Sequence, residues 1–171
     1  MAENLACIHG ADSRQARLAG MLHDLARLYS EERLLHECER LRVPVSDFER
    51  AHPIVLHAPL SAALAQAEFA VTDPAVLSAI AKHTLAAGEM SVLDCVVYLA
   101  DGLEPGRDYP ERAELAALAE RDLNAAMRAT IGSSLRYLKS KELPLAPATA
   151  AAMKTFGIEA GMMEAATGGH S

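Results

Sequence analysis

The sequence predicts a single all-α domain, and three observations support this fold class. With 171 residues, the chain is long enough to bury one hydrophobic core without disulfides or a structural metal. Hydrophobic residues make up 51% of the chain and aromatic residues only 4%, and the apolar residues are mostly Ala and Leu, which favour helices packed on helices. β-branched residues are few, so we expect almost no sheet.

Start and stop signals divide the chain into helices joined by short loops. We predict helices over residues 2–9, from 13 past 24, 31–42, 58–69, 74–83, 92–100, a short one from 110, 123–141, and a last one of about ten residues ending near 157. This pattern places His23 and Asp24 inside the second helix. Residues 44–56 are expected to be irregular with a short helical turn. The tail 157–171 has no periodic apolar face, so we predict a flexible end.

The charge of the chain bears on its partners. A net charge of -7 and a pI of about 5.5, with no run of Lys or Arg, argue against a nucleic-acid binder. A small phosphorylated substrate is still compatible, because metal ions and a few arginines can make one pocket locally positive. The predicted partner is therefore a small molecule.

Cysteine usage and hydropathy bear on the compartment. Cys7, Cys38 and Cys95 are odd in number and show no CxxC spacing, which is typical of reduced thiols in a cytoplasmic protein. No leader-like apolar run follows Met1, and no stretch of about 18 uncharged apolar residues occurs, so we expect neither secretion nor a membrane span. The Ala- and Leu-rich helices are compatible with a homodimer or with a core alone.

The candidate chemistry lies in the adjacent pair His23-Asp24 and in isolated His57, His83 and Asp101 near helix ends. Successive helical residues differ by about 100° in direction, so His23 and Asp24 reach one region only if it lies between them. A centre with two cations meets that demand, because a carboxylate can bridge both while the imidazole binds one. The ordinary alternative is a buried histidine hydrogen-bonded to an acid, and each of the other three residues could equally be structural.

Several motifs occur in the same order, and at compatible spacing, as in a known family. They are Gly10-Ala11-Asp12, Ala19-Gly20-Met21-Leu22-His23-Asp24, His57-Ala58-Pro59, Lys82-His83-Thr84, Met90-Ser91, Tyr98-Leu99-Ala100-Asp101 and Glu104-Pro105-Gly106-Arg107. With this set, the chain resembles the HD-domain phosphohydrolases, and among them the symmetrical bis(5'-nucleosyl)-tetraphosphatases of the YqeK type. The likeness runs over about residues 2–156, so we expect one HD domain, a compact helical bundle, over residues 1–156.

The resemblance implies a metal-dependent hydrolase that cleaves diadenosine tetraphosphate into two ADP. It implies two divalent cations, iron in the first place and manganese as an alternative. The implied metal ligands are His23, Asp24, His57, His83 and Asp101, with Asp24 bridging. Bound metals would polarise phosphoryl oxygens and activate water.

The same resemblance assigns residues to catalysis and to substrate. Asp24, Arg27 and Glu104 are the implied catalytic residues, and Arg27, Thr84 and Arg107 are the implied contacts to substrate phosphates. Glu104 would fix Arg107 or a metal-bound water. The competing interpretation for Arg27 is a solvated helix cation. For Thr84 the alternatives to the phosphate contact are a hydrogen bond to a ligand and a hydroxyl that only caps a helix end.

Two departures from the family pattern qualify the resemblance. Family members carry a further ligand histidine upstream of the segment that matches residues 2–6, and the printed sequence starts after that position. We interpret this as a shortened reading frame, with a natural variant lacking one ligand as the alternative; His9 aligns with a position that is not a ligand. The loop 85–89 also departs from the family pattern: Leu85-Ala86-Ala87-Gly88-Glu89 does not carry glycine and arginine at the usual positions, which bears on substrate affinity and choice more than on the metal site.

Two other functions therefore stay open at this point. One is an HD hydrolase of another nucleotide, such as a guanosine phosphate, although the acidic pair usual after HD in those enzymes is replaced here by Leu25-Ala26-Arg27. The other is a catalytically weak nucleotide-binding protein whose metal centre lacks its first histidine.

Overall fold

The computed structural model describes residues 1–158, and all regular secondary structure in that part is helical. The predicted all-α class is confirmed. The helices are α1 (Ala2–His9), α2 (Ser13–Leu22), α3 (Glu31–Arg40), α4 (Asp47–Ala51), α5 (His57–Phe69), α6 (Pro74–Lys82), α7 (Val92–Gly102), α8 (Arg112–Ala119), α9 (Leu123–Ser140) and α10 (Pro147–Thr155). A 3₁₀ turn, Pro53–Leu56, precedes α5.

Local capping explains why most helices begin where the sequence predicts. The Asp12 carboxylate accepts hydrogen bonds from the backbone N–H groups of Arg14 and Gln15 at the start of α2. Ser91 forms a capping box with Asp94 at the start of α7. Because each such cap satisfies N–H groups that have no partner within the helix, it fixes the start of the helix to within a residue.

The prediction that His23 and Asp24 lie inside the second helix is wrong. Helix α2 ends at Leu22, and residues 23–28 form successive turns. The reason is a long-range contact: the backbone N–H of Ala26 donates to the hydroxyl of Ser61 on α5, at 3.1 Å, instead of to the carbonyl of Leu22. The turn that carries His23 and Asp24 is therefore attached to α5.

Two other boundaries differ from the prediction. Helix α7 continues to Gly102, so Asp101 lies in its last turn rather than beyond its end. The connection 44–56 is mostly helical, because Ser46 and Glu49 form a capping box that starts α4. Nearly all of the predicted flexible tail 157–171 lies outside the described residues.

Helix α7 lies at the centre of the fold. Its residues from Leu93 to Leu99 are all buried, and it packs against α1, α2, α6 and α9. A second cluster of buried residues lies under α3 and α5 and consists of Ala26, Leu34, Cys38, Leu56, Leu60 and Leu64. The turn after α2 contributes Ala26 to this cluster, so the turn is part of the core.

The three cysteines are unpaired. Cys7 is exposed, whereas burial raises the pKa of Cys38 to about 11 and that of Cys95 to about 12. Within residues 1–158, no helix is both long enough and apolar enough to cross a lipid bilayer.

The central position of α7 predicts a large effect of truncating its core side chains. Leu99 is fully buried, and Leu99→Ala should lower the free energy of unfolding by about 2–5 kcal/mol, because it removes apolar contacts and leaves a cavity. Urea denaturation followed by circular dichroism measures this change. Leu28 is 97% exposed, so Leu28→Ala is the control and should stay within about 0.5 kcal/mol. Equal losses in the two variants would contradict the assignment of α7 to the core.

Candidate metal centre

Three histidines at helix ends make the same local hydrogen bond. In each ring Nδ1 bonds to the backbone carbonyl three residues earlier in the chain. The pairs are His23 with Gly20 at 2.8 Å, His57 with Ile54 at 2.6 Å and His83 with Ile80 at 2.7 Å. Because a carbonyl can only accept, Nδ1 carries the proton in all three rings. In the neutral ring Nε2 is then an unprotonated donor atom for a cation.

The Asp24 carboxylate lies between these rings. Its Oδ1 is 3.5 Å from Nε2 of His57 and 3.5 Å from Nε2 of His83. Its Oδ2 is 3.5 Å from Nε2 of His23. One oxygen of this carboxylate thus faces His57 and His83 and the other faces His23, an arrangement suited to a bridging ligand.

Asp101 completes a second group of donors. Its Oδ1 is 3.6 Å from Nε2 of His23, and the donor atoms of His23, His83 and Asp101 lie within 4.8 Å of one another. Asp24, His57 and His83 form the other group under the same limit. The structure therefore brings all five predicted ligand residues together, with His83 common to both groups.

The donor atoms and their spacing fit divalent cations. The Nε2 atoms of His57 and His83 are 3.3 Å apart, and their distances to Asp24 are slightly longer. Two ligand atoms that bind one cation at about 2.0–2.1 Å lie about 2.8–3.4 Å from each other at octahedral to tetrahedral angles. Imidazole with carboxylate is a donor set for zinc, iron or manganese.

The electrostatics of the centre favour ionised carboxylates. Burial raises the pKa of Asp24, but its interactions with His83, His23 and His57 outweigh burial and hold that pKa below its ordinary value. Burial likewise opposes ionisation of Asp101, and its contacts with His23 and Arg107 lower its pKa to about 2. Both carboxylates are therefore charged at neutral pH and available to cations.

The histidines differ in protonation. Burial lowers the pKa of His57, so its ring is neutral at pH 7. Burial also acts to lower the pKa of His23, but Asp101, the Gly20 carbonyl and the charge of Asp24 together raise it above its ordinary value. A cation at His23 therefore replaces a more tightly held proton than a cation at His57 does.

Arg107 contacts the centre through Asp101. Its Nη2 donates to Asp101 Oδ1 at 2.5 Å, and its Nε donates to the Asp101 backbone carbonyl at 3.0 Å. Glu104 is exposed in the same loop and lines a cleft beside His23. The Tyr109 hydroxyl donates to the Gly102 carbonyl at 3.0 Å, which holds the far end of this loop against α7.

The other predicted substrate residues also lie near the cluster. Arg27 is exposed in the turn after Asp24, and its charge contributes to the low pKa of His57. The Thr84 hydroxyl is 3.0 Å from Nε2 of both His57 and His83. His9 is engaged elsewhere, because its Nε2 donates to the Ala119 carbonyl at 2.6 Å and so links α1 to α8.

Two supporting contacts were not predicted from the sequence. Lys82, next to His83, places its Nζ 2.9 Å from Asp94 Oδ2. Asp94 is 1% exposed, so this pair fastens the end of α6 to the start of α7. The other contact is the Ser61 hydroxyl that holds Ala26. For the Lys82–Asp94 contact the only signal in the sequence was an acid, Asp94, in the first turn of an apolar helix. The Ala26–Ser61 contact had no signal in the sequence.

A cleft of about 350 Å³ opens beside the centre. Its wall contains His23 and Asp101 of the centre together with Glu104. The remaining lining residues are Met1, Ala2, Glu3, Ala16, Arg17, Gly20, Met21, Val97, Ala100 and Pro105.

The fold and the site define a class: a helical protein with a histidine and carboxylate centre suited to divalent cations. The family model described as HD domain matches residues 1–106, from α1 to the loop after α7. The chain belongs to the HD domain family, and the family predicted from the motifs is confirmed. Membership of this family implies binding of divalent metal, and the donor groups above agree with it.

Three relatives place the chain within the family. A symmetrical bis(5'-nucleosyl)-tetraphosphatase of Bacillus subtilis is 36% identical over 140 residues, 82% of this chain and 75% of that protein. A protein of the same name from Halalkalibacterium halodurans is 32% identical over 148 residues, 86% and 79% of the two chains. A crystal structure of a predicted HD superfamily hydrolase involved in NAD metabolism from Clostridium acetobutylicum superimposes with a TM-score of 0.87 at 30% identity, covering 91% of this chain and 82% of that one.

The geometry predicts that divalent cations stabilise the folded protein through His57. A cation at about one hundred times its Kd should add about 2.7 kcal/mol to the free energy of unfolding, seen as a rise in Tm when Mn²⁺ is added to the metal-free protein. His57→Asn removes Nε2 but keeps a side-chain N–H close to the position of Nδ1. This variant should lose most of the rise.

The matched control for that experiment is His36→Asn, because His36 is exposed on α3. It should gain as much stability from Mn²⁺ as the unmodified protein. An unchanged rise in the His57 variant would remove His57 from the ligand set.

Proposed function

We propose that this protein hydrolyses diadenosine tetraphosphate symmetrically to two ADP, as a metal-dependent phosphohydrolase. The observation that carries the proposal is the position of Asp24, whose Oδ1 faces His57 and His83 while its Oδ2 faces His23. Relatives at 36% and 32% identity bear the name of this activity, and it agrees with the function predicted from the sequence.

The residues that would hold the cations are His23, Asp24, His57, His83 and Asp101. Bound divalent cations supply polarisation of phosphoryl oxygens and activation of water. Iron is the proposed metal and manganese the alternative, because nitrogen and oxygen donors of this kind suit both. The low pKa values of Asp24 and Asp101 keep both carboxylates charged for this task.

Hydrolysis at the centre of the tetraphosphate divides the substrate equally. One water molecule adds across the middle P–O–P bridge: its oxygen joins one phosphorus, and the bridging oxygen leaves with the other nucleoside diphosphate and takes up a proton. We assign Glu104 to holding or moving protons near the reacting phosphates, and Asp24 to catalysis through holding the cations. Asp24 is 40% exposed at its side chain, so it can reach solvent as well as the histidines.

Arginines would supply the positive charge that the net charge of -7 does not. Arg27 and Arg107 lie on two sides of the centre, one after Asp24 and one against Asp101. We propose that both bind phosphate oxygens, Arg107 by sharing its guanidinium between Asp101 and the substrate. The cleft beside His23 would take part of the phosphate chain or a nucleoside.

The product analysis is the decisive experiment for the reaction. Purified protein with Mn²⁺ or Fe²⁺ should convert diadenosine tetraphosphate to ADP alone, resolved by ion-exchange chromatography. AMP and ATP in equal amounts would disprove symmetrical cleavage. Faster hydrolysis of a guanosine phosphate in the same assay would assign the site to another nucleotide.

The role of Arg107 predicts a loss in kcat/KM. Arg107→Gln should lower kcat/KM by about 10- to 100-fold, because a hydrogen bond to a charged group contributes about 1.5–3 kcal/mol. The control is Arg136→Gln, since Arg136 pairs with Glu111 on the surface, at 2.9 Å. The control should keep full kcat/KM; an equal value for Arg107→Gln would exclude the phosphate contact. A cytoplasmic location and a homodimer stay predictions from the sequence.

A further inference from the structure

The Thr84 hydroxyl occupies a special position between two buried imidazoles. Its Oγ1 is 3.0 Å from Nε2 of His57 and 3.0 Å from Nε2 of His83, and those two nitrogens are 3.3 Å apart. The two histidine side chains are only 7% and 1% exposed. Both side chains are therefore almost entirely removed from solvent.

The hydrogen bonds of the two rings determine that the Thr84 hydroxyl acts as a donor. Both Nδ1 atoms donate to carbonyls, of Ile54 and Ile80, so both Nε2 atoms carry lone pairs in the neutral rings. Two lone pairs at 3.3 Å repel each other and cannot share a hydrogen bond. The O–H of Thr84 is a donor within reach of both nitrogens. The partial positive charge on its hydrogen offsets the repulsion between the two lone pairs.

The backbone around Thr84 makes this placement rigid. Helix α6 ends just before His83, and the Ala86 N–H bonds back to the Lys82 carbonyl at 3.0 Å. The Thr149 hydroxyl of α10 donates to the Leu85 carbonyl at 2.8 Å. The β-branched side chain of threonine further restricts its own rotation.

We propose that Thr84 is a positioning residue of the cation site formed by Asp24, His57 and His83. Its hydroxyl holds the two Nε2 atoms close together, at the spacing of two ligand atoms on one cation. A bound divalent cation would replace the hydroxyl proton as the positive charge between them. Of the two contacts predicted for Thr84 from the sequence, this role develops the hydrogen bond to a ligand and not the phosphate contact. It deepens the proposed function, because it concerns the same centre, but it does not depend on which nucleotide is cleaved.

The test is the affinity for Mn²⁺ in the absence of substrate, measured by isothermal titration calorimetry on the full chain. Thr84→Val keeps the shape of the side chain and removes the hydroxyl, so the Kd for Mn²⁺ should rise about tenfold or more, as for other groups that orient metal ligands. Thr84→Ser restores the hydroxyl and should bind Mn²⁺ within about threefold of the unmodified protein.

A spectroscopic measurement on the metal-free protein separates positioning from packing. Long-range ¹H–¹⁵N spectra report whether each imidazole Nε2 accepts a hydrogen bond. Thr84→Val should shift the Nε2 signals of His57 and His83 towards those of nitrogens without a donor, while Thr84→Ser should not. If Thr84→Val folds poorly, as judged by circular dichroism, Thr84→Ala removes the same hydroxyl with less bulk.

The outcomes distinguish this inference from the proposed function. Unchanged Mn²⁺ affinity in the variants without the hydroxyl would overturn it, and so would tighter binding, which would make the hydroxyl a competitor of the cation. A raised KM with unchanged Mn²⁺ affinity would also overturn it in favour of the phosphate contact. Weaker Mn²⁺ binding restored by serine supports it even if diadenosine tetraphosphate is not cleaved, in which case only the proposed function fails.

Discussion

The centre depends on one repeated interaction: the hydrogen bond from Nδ1 of each histidine to a carbonyl at a helix end or in the 3₁₀ turn. Carbonyls in the last turn of a helix have no partner within that helix, so His23 and His83 each satisfy one, and all three bonds hold their rings in a fixed rotation and tautomer. The backbone thus fixes the direction in which each of the three Nε2 atoms points. Their separations then follow from how α2, α5 and α6 pack against one another.

Helix α7 supports the centre at two points, one at each end of the helix. At its start, the buried Asp94 holds Lys82 and with it the end of α6 that carries His83. In its last turn, Asp101 faces His23 and is paired with Arg107. Because the helix between them is almost entirely buried, the distance between these two attachments is set by the core rather than by mobile side chains.

Local signals made much of the fold predictable, and long-range contacts explain what they missed. Asp12, Ser91 and Pro74 act on neighbouring backbone groups, so the helices start where the sequence predicts. The five residues predicted as ligands from ordered motifs do lie together in the structure. The end of α2 was not, because Ser61 acts on Ala26 across 35 positions. The contacts of Thr84 and Arg107 with the centre likewise depend on packing distances that no local pattern encodes.

The attachment of Ala26 to Ser61 has a consequence for how the protein opens. A surface turn ordinarily exchanges its amide hydrogens through local fluctuations that leave the rest of the fold intact. Here the Ala26 amide bonds to a buried hydroxyl, and its side chain belongs to the cluster under α3 and α5. Asp24, although it lies in a turn, is therefore part of the same cooperative unit as that cluster, and the centre cannot come apart without opening part of the core.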